Sequence, residues 1–134
     1  MQFCTVINKA WAAHARALAE SLQAHEAGAQ LAVLIVDPID GFLDPADKTK
    51  FREGFSVPDD APPAFFVVAH DDKSNPIEAA MLYLEYKKKN LAAELHIYTQ
   101  GGHGFGMRRE SHPINDWPQR VAEWMVAMGY APKP

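Results

Sequence analysis

The chain has 134 residues, 48% of them apolar and 22% charged, enough for one globular domain with a real core and too few for two. Seventeen acidic against 13 basic side chains leave a net charge of −4, which excludes the basic footprint of a nucleic-acid or anionic-membrane binder. A single cysteine, Cys4, excludes an internal disulfide and points to a reducing, cytoplasmic setting. No apolar run approaches the roughly 20 residues of a membrane span. The N-terminus has no basic segment leading into an apolar one, so no signal peptide is expected.

Phe3–Ile7 reads as a short buried strand, followed from Trp11 to His25 by good helix formers with Trp11, Ala15, Leu18 and Leu22 on one face. Leu31 to Val36 is continuous and aliphatic, typical of a strand covered on both faces. Strand, helix and strand in that order predict a right-handed βαβ unit over residues 1–44. Between Asp37 and Pro63 the pattern dissolves into Asp, Pro and Gly. The acids there lack the alternating spacing and terminal Glu of a calcium loop, so this is a solvated connection with a short helix from Pro45 to Phe51. No metal ion and no cofactor is expected.

Ala64 to Ala69 is a third buried strand. Asn75-Pro76 opens a helix to Lys89, with Pro suited to the first turn and Ile77, Ala80, Met81 and Leu84 as its core face. The basic run Lys87-Lys88-Lys89 complements the dipole at that helix end. Glu94 to Tyr98 is the fourth strand, with His96 a structural, packed histidine. Asn115 or Asp116 caps the last helix, in which Trp117, Val121, Trp124, Met125 and Met128 form a core stripe and which Gly129 stops. The whole is one α/β domain: three layers, α/β/α, around a mostly parallel four-stranded sheet.

Two strand ends carry the chemistry. His70-Asp71-Asp72 follows the third strand, and Gly101-Gly102-His103-Gly104-Phe105-Gly106 follows the fourth. Carboxyl ends of parallel strands are where an open α/β sheet presents reacting groups. The glycines let the loop turn tightly around one imidazole, whose proton moves near neutral pH. An acid and a base on neighbouring strand ends are two thirds of a nucleophilic triad.

From about residue 51 onward the chain resembles α/β-hydrolases of the dienelactone-hydrolase and acetyl-xylan-esterase kind. The resemblance is carried by Pro62-Pro63-Ala64-Phe65-Phe66, His70-Asp71-Asp72, Ala93–Tyr98, the glycine loop and Trp117. It implies Asp72 as triad acid (Asp71 the alternative), His103 as general base, and Gly102 and Gly104 near a ligand. The elbow G-x-S-x-G that carries the nucleophile in such enzymes is not in the sequence. Ser21 falls in the first predicted helix, Ser56 in the proline-rich connection, and Ser74 and Ser111 after the acid; Cys4 lies early in its strand. The first fifty residues, through Phe3–Ile7, Ala15–Leu22 and Val36-Asp37, resemble the opening βαβ of a bacterial glycosyltransferase. That second resemblance implies Thr5, Asn8 and Asp37 near a nucleotide or sugar.

The expectation is a junction of two α/β fragments meeting within residues 45–63, keeping the Asp and His of an ester-hydrolase triad without efficient turnover. The alternatives are a small esterase whose nucleophile comes from elsewhere and a nucleotide- or sugar-binding module. Partners are limited to a small ester or sugar and to other copies of the chain. A strand order 2-1-3-4 is expected, with the Leu31 and Glu94 strands as edges. The uncharged Leu31 edge, together with incompletely covered Trp11 and Trp124, then predicts a homo-oligomer.

Overall fold

A computed structural model describes residues 2–7, 30–36, 42–73, 75–106 and 112–130. Its elements are β1 (Gln2–Ile7), β2 (Gln30–Val36), β3 (Ala64–Ala69), α1 (Asn75–Lys88), β4 (Ala93–Tyr98), a 3-10 turn (Pro113–Asp116) and α2 (Trp117–Ala127). The expected helix from Trp11 to His25 and the candidate residues Asn8 and Asp37 lie outside the described residues.

Among the described residues the sheet has four strands, all parallel, in the order β1-β2-β3-β4. The expected order 2-1-3-4 is therefore wrong. Val33 to Val36 of β2 pair with Ala64 to Val67 of β3 while β1 runs along the other side of β2. The Leu31 strand is thus interior rather than an edge. Its lack of charge, Pro and Gly is what two-sided pairing requires, not an unprotected border.

β3 is the spine. Every residue from Ala64 to Ala69 is fully buried, because its two faces are covered by different helices. Phe65, Val67 and Ala69 pack with Trp117, Val121 and Trp124 of α2. Ala64, Phe66 and Val68 pack with Ala79, Leu82 and Tyr86 of α1. Helices on both faces make the three layers, and each buried Phe or Val contributes about 1.5–3 kcal/mol of transfer free energy. Trp124 is only 4% exposed, so the expected uncovered patch at that residue is absent.

The helix after β3 buries a different face from the one its spacing suggested. Ile77 and Leu84 are 44% and 53% exposed, while Ala79, Leu82 and Tyr86 face the sheet. Apolar residues encircle most of α1, so the i, i+3, i+4, i+7 pattern through Ile77 did not single out the buried stripe. Both helices stop in the same way. In α1 the N–H of Leu91 reaches the Tyr86 carbonyl and that of Asn90 the Lys87 carbonyl, around Asn90 at φ 56°. In α2 Tyr130 bonds back to Met125 and Gly129 to Val126, with Gly129 at φ 77°. These are Schellman stops, which need a residue that tolerates the left-handed region.

The connection from 42 to 63 contains turns instead of the expected helix from Pro45 to Phe51. Asp44 Oδ1 accepts the N–H groups of Ala46 and Asp47, and Asp47 Oδ1 accepts both the N–H and the hydroxyl of Thr49. Such side-chain bonds compete with helix formation. The segment closes instead as a loop, with Leu43 bridging Phe51 in antiparallel sense. Leu43 and Val57 are buried beneath it.

Candidate active site

β3 and β4 end side by side, with Ala69 in register with Tyr98. The His70 N–H extends the ladder to the Tyr98 carbonyl at 2.6 Å, and the Asp72 N–H turns back to the Ala69 carbonyl at 3.2 Å. The chain after β3 therefore curls over its own strand end. That places two consecutive carboxylates against the loop leaving β4.

The two acids make different contacts. Asp71 accepts the backbone N–H of Gly102 at 2.8 Å and that of Gly101 at 3.3 Å. The Gly102 N–H, assisted by that of Gly101, holds the Asp71 carboxyl below its ordinary range. Asp72 instead faces the imidazole, with His103 Nδ1 and Asp72 Oδ2 3.0 Å apart. The Asp72 side chain is 7% exposed and that of His103 is 63% exposed. One partner is thus fixed in the protein and the other presented to solvent. With Nδ1–H donating to Asp72, the neutral ring carries its lone pair on Nε2.

The glycine loop is held along its length. Gly101 approaches the sheet so closely that a Cβ there would lie 2.7 Å from Ile114 Cδ1 and 3.2 Å from Ala69 Cβ. Gly102 sits at φ +62°, a left-handed conformation that glycine adopts freely, and its N–H bonds Asp71. Beyond His103, Phe105 is buried in the core beneath α2. Trp117, the first residue of α2, then donates its indole N–H to the Gly106 carbonyl at 2.8 Å. Carboxylate, core aromatic and indole together fix the loop on both sides of the imidazole. Gly104 lies next to His103 at φ +69° with open space where a Cβ would be.

Sequence reasoning makes Asp71 an alternative to Asp72, and Trp117 both a core residue and a mark of the hydrolase resemblance; neither reading foresees their bonds to the glycine loop. The adjacency of Asp71 to Gly101 and Gly102 across the strand pair was the available signal. Glu78 was missed altogether. It is fully buried in the first turn of α1 and accepts the Phe42 N–H at 2.7 Å, tying the segment after β2 to the helix that follows the acid. The only trace in the sequence is an acid in the first turn of a Pro-started helix, a pattern that usually marks helix-dipole compensation. His96 is packed: it stacks on Phe65 with centroids 5.0 Å apart and meets Glu94 at 2.6 Å. Ser56 is exposed in the connection before β3. Cys4 lies inside β1, opposite Ala32. Among the described residues no group of three His, Cys, Asp or Glu side chains is arranged to hold a metal ion. No described helix is long and apolar enough to cross a membrane.

No protein-family model and no curated protein sequence matches the chain. Solved structures do. The α/β hydrolase MGS-M1 from a Medee basin deep-sea metagenome library matches with TM-score 0.61 and 19% identity, over 92% of this chain and 53% of its own. The carboxylesterase Cest-2923 from Lactobacillus plantarum WCFS1 matches with TM-score 0.60 and 16% identity, over 88% and 52%. An acetyl ester-xyloside bifunctional hydrolase from Caldicellulosiruptor lactoaceticus gives 0.57 and 23%, over 74% and 43%. The chain thus spans about half the length of the structures it matches. At these identities the likeness is one of fold, and the fold is that of an α/β-hydrolase-like sheet.

Proposed function

We propose that this chain carries the acid and base of an ester-hydrolase triad, with Asp72 orienting His103 and His103 Nε2 as the proton acceptor for a hydroxyl nucleophile. The observation that carries the reading is the 3.0 Å contact between His103 Nδ1 and Asp72 Oδ2 at adjacent strand ends. In the reaction class this geometry suits, Nε2 takes the proton of the attacking hydroxyl and later returns it to the leaving alcohol. The buried carboxylate holds the tautomer and stabilises the imidazolium formed in between. Asp71 acts through the loop amides as a positioning residue, so that the imidazole need not reorganise when charge develops. The solved structures named as esterases support short acyl esters as the substrate class.

No G-x-S-x-G elbow occurs in these 134 residues, and the chain alone is proposed to be inefficient. A triad without its nucleophile retains only weak catalysis from binding and oxyanion stabilisation. The second reading, an esterase completed by a nucleophile from elsewhere, draws on the chain spanning 43–53% of the matched structures. A match over 92% of the chain reaches well beyond residues 51–134, which supports one hydrolase-like sheet over a junction with a glycosyltransferase fragment.

The test has two arms. Histidine 15N NMR is expected to show His103 protonated at Nδ1, and Asp72→Asn to mix the tautomers; a native His103 protonated at Nε2 would overturn the acid–base assignment. Turnover of p-nitrophenyl acetate is expected at the protein-free rate. A robust rate lost in His103→Ala would replace inactivity by the esterase reading, and loss in Ser56→Ala would name the nucleophile.

A further inference from the structure

β4 pairs with β3 on one side only, and among the described residues nothing pairs with its other side. Ala92 and Tyr98 both direct their carbonyls to β3, where they accept the N–H groups of Ala64 and His70. Backbone groups alternate in direction along a parallel strand. Glu94 and His96 therefore also bond inward, and Ala93, Leu95 and Ile97 turn their N–H and C=O groups to the open edge. The side chains alternate by face as well. His96 and Tyr98 pack on the α2 side with Phe65 and Trp124, whereas Ala93 and Leu95 pack on the α1 side. Ile97, in phase with these two, is 47% exposed.

We infer that this edge is a self-association surface, in which β4 pairs antiparallel with β4 of a second copy about a two-fold axis at Leu95. The occupant follows from the strand's own complementarity. Antiparallel pairing centred on Leu95 sets Ala93 opposite Ile97 of the second copy and Leu95 opposite its equivalent. All the edge-facing backbone groups then meet as hydrogen-bonded pairs. On the other face the same register sets Glu94 opposite the second copy's His96, and His96 opposite its Glu94. Two opposite-polarity cross-strand pairs result, with Ile97 covered on the α1 side.

Neighbouring registers lack this match. A two-fold at Glu94 opposes two carboxylates, and one at His96 opposes two imidazoles. Each copy already holds Glu94 and His96 2.6 Å apart with both side chains partly exposed, so the pair stands ready to be shared across the seam. The interface is isologous and closes at two copies. This inference is independent of the triad reading.

Sedimentation velocity at tens of micromolar is the test, with circular dichroism to establish that each variant is folded. The wild type is expected at twice 14.9 kDa and Ile97→Lys, a change at an exposed position, at the monomer mass with an unchanged spectrum. Glu94→His, which opposes two histidines, is expected to weaken the dimer about tenfold, and adding His96→Glu to restore it by exchanging the pair. A monomeric wild type would overturn the inference and leave the edge to another polypeptide. A folded Ile97→Lys dimer, or no recovery in the double variant, would also overturn it.

Discussion

Adding one methyl group at Gly101 tests whether the loop that presents His103 is set by packing against the last helical segment. The new Cβ would lie 2.7 Å from Ile114 Cδ1, 3.1 Å from its Cγ2 and 3.2 Å from Ala69 Cβ. Ile114 is 1% exposed and Ala69 fully buried, so neither can swing into solvent. Overpacking a filled core site costs about 1–3 kcal/mol. For a chain of this size about 1 kcal/mol corresponds to roughly 3.5 °C in Tm, so Gly101→Ala is expected to melt about 7 °C lower. Ile114→Val removes the nearest clashing atom and alone costs about 1 kcal/mol. Combined with Gly101→Ala it is expected to be no worse than Gly101→Ala by itself, a coupling of about 1 kcal/mol or more. Thermal melts by circular dichroism on the four proteins complete the cycle. An unchanged Tm in Gly101→Ala, or strictly additive losses in the double variant, would refute the packing argument.

Two further outcomes follow from the same loop. Trp117→Phe keeps an aromatic ring in the core but deletes the indole bond to Gly106; urea melts are expected to show a loss of about 1–2 kcal/mol, and no loss would mean that bond holds nothing. Asp71 has a depressed folded value because its charged form accepts the Gly102 and Gly101 amides. Its contribution is present above the ordinary aspartate range and is lost as pH falls through the lower folded value. An acid titration of the Gly102 amide resonance is expected to show a midpoint below that range, and to lose this step in Asp71→Asn.

Continuous aliphatic or aromatic composition marked Leu31–Val36 and Ala64–Ala69 as strands, and Ala64–Ala69 is buried on both faces, since a fully covered strand has no polar face to alternate with. Ala64–Ala69 was legible to the residue for that reason, and Asn90 and Gly129 marked the helix ends. Strand order was not legible. Leu31–Val36 and Ala64–Ala69 are equally apolar, and nothing local to β2 records which neighbours it takes. The buried face of α1 was hidden for a related reason, since Ile77 and Leu84 are as apolar as Leu82. At the site, Asp72 and His103 stood out as strand-end residues. The separate employment of Asp71 depends on how two strand ends meet, which lies in the register of β3 on β4.

The geometry also restricts where a nucleophile could stand. His103 leaves β4, and Cys4 lies in β1, three strand spacings away in the sheet. At about 4.8 Å per spacing that is roughly 14 Å across. Cys4 also precedes the end of β1 by three residues, about 10 Å along the strand away from the carboxyl edge. A thiolate there cannot come within hydrogen-bonding distance of the His103 ring while the sheet is intact. Asn8, Lys9 and Ala10, which follow β1, offer no hydroxyl or thiol. Ser56 is exposed in the connection before β3, next to Phe55, whose ring packs on Phe42 with centroids 4.8 Å apart. Asp72 and His103 meet at the carboxyl edge of the sheet, whereas Ser21, Ser74 and Ser111 lie outside the described residues. On the proposed reading His103 is the proton acceptor, and ester chemistry there requires a hydroxyl or thiol at the carboxyl edge of the sheet.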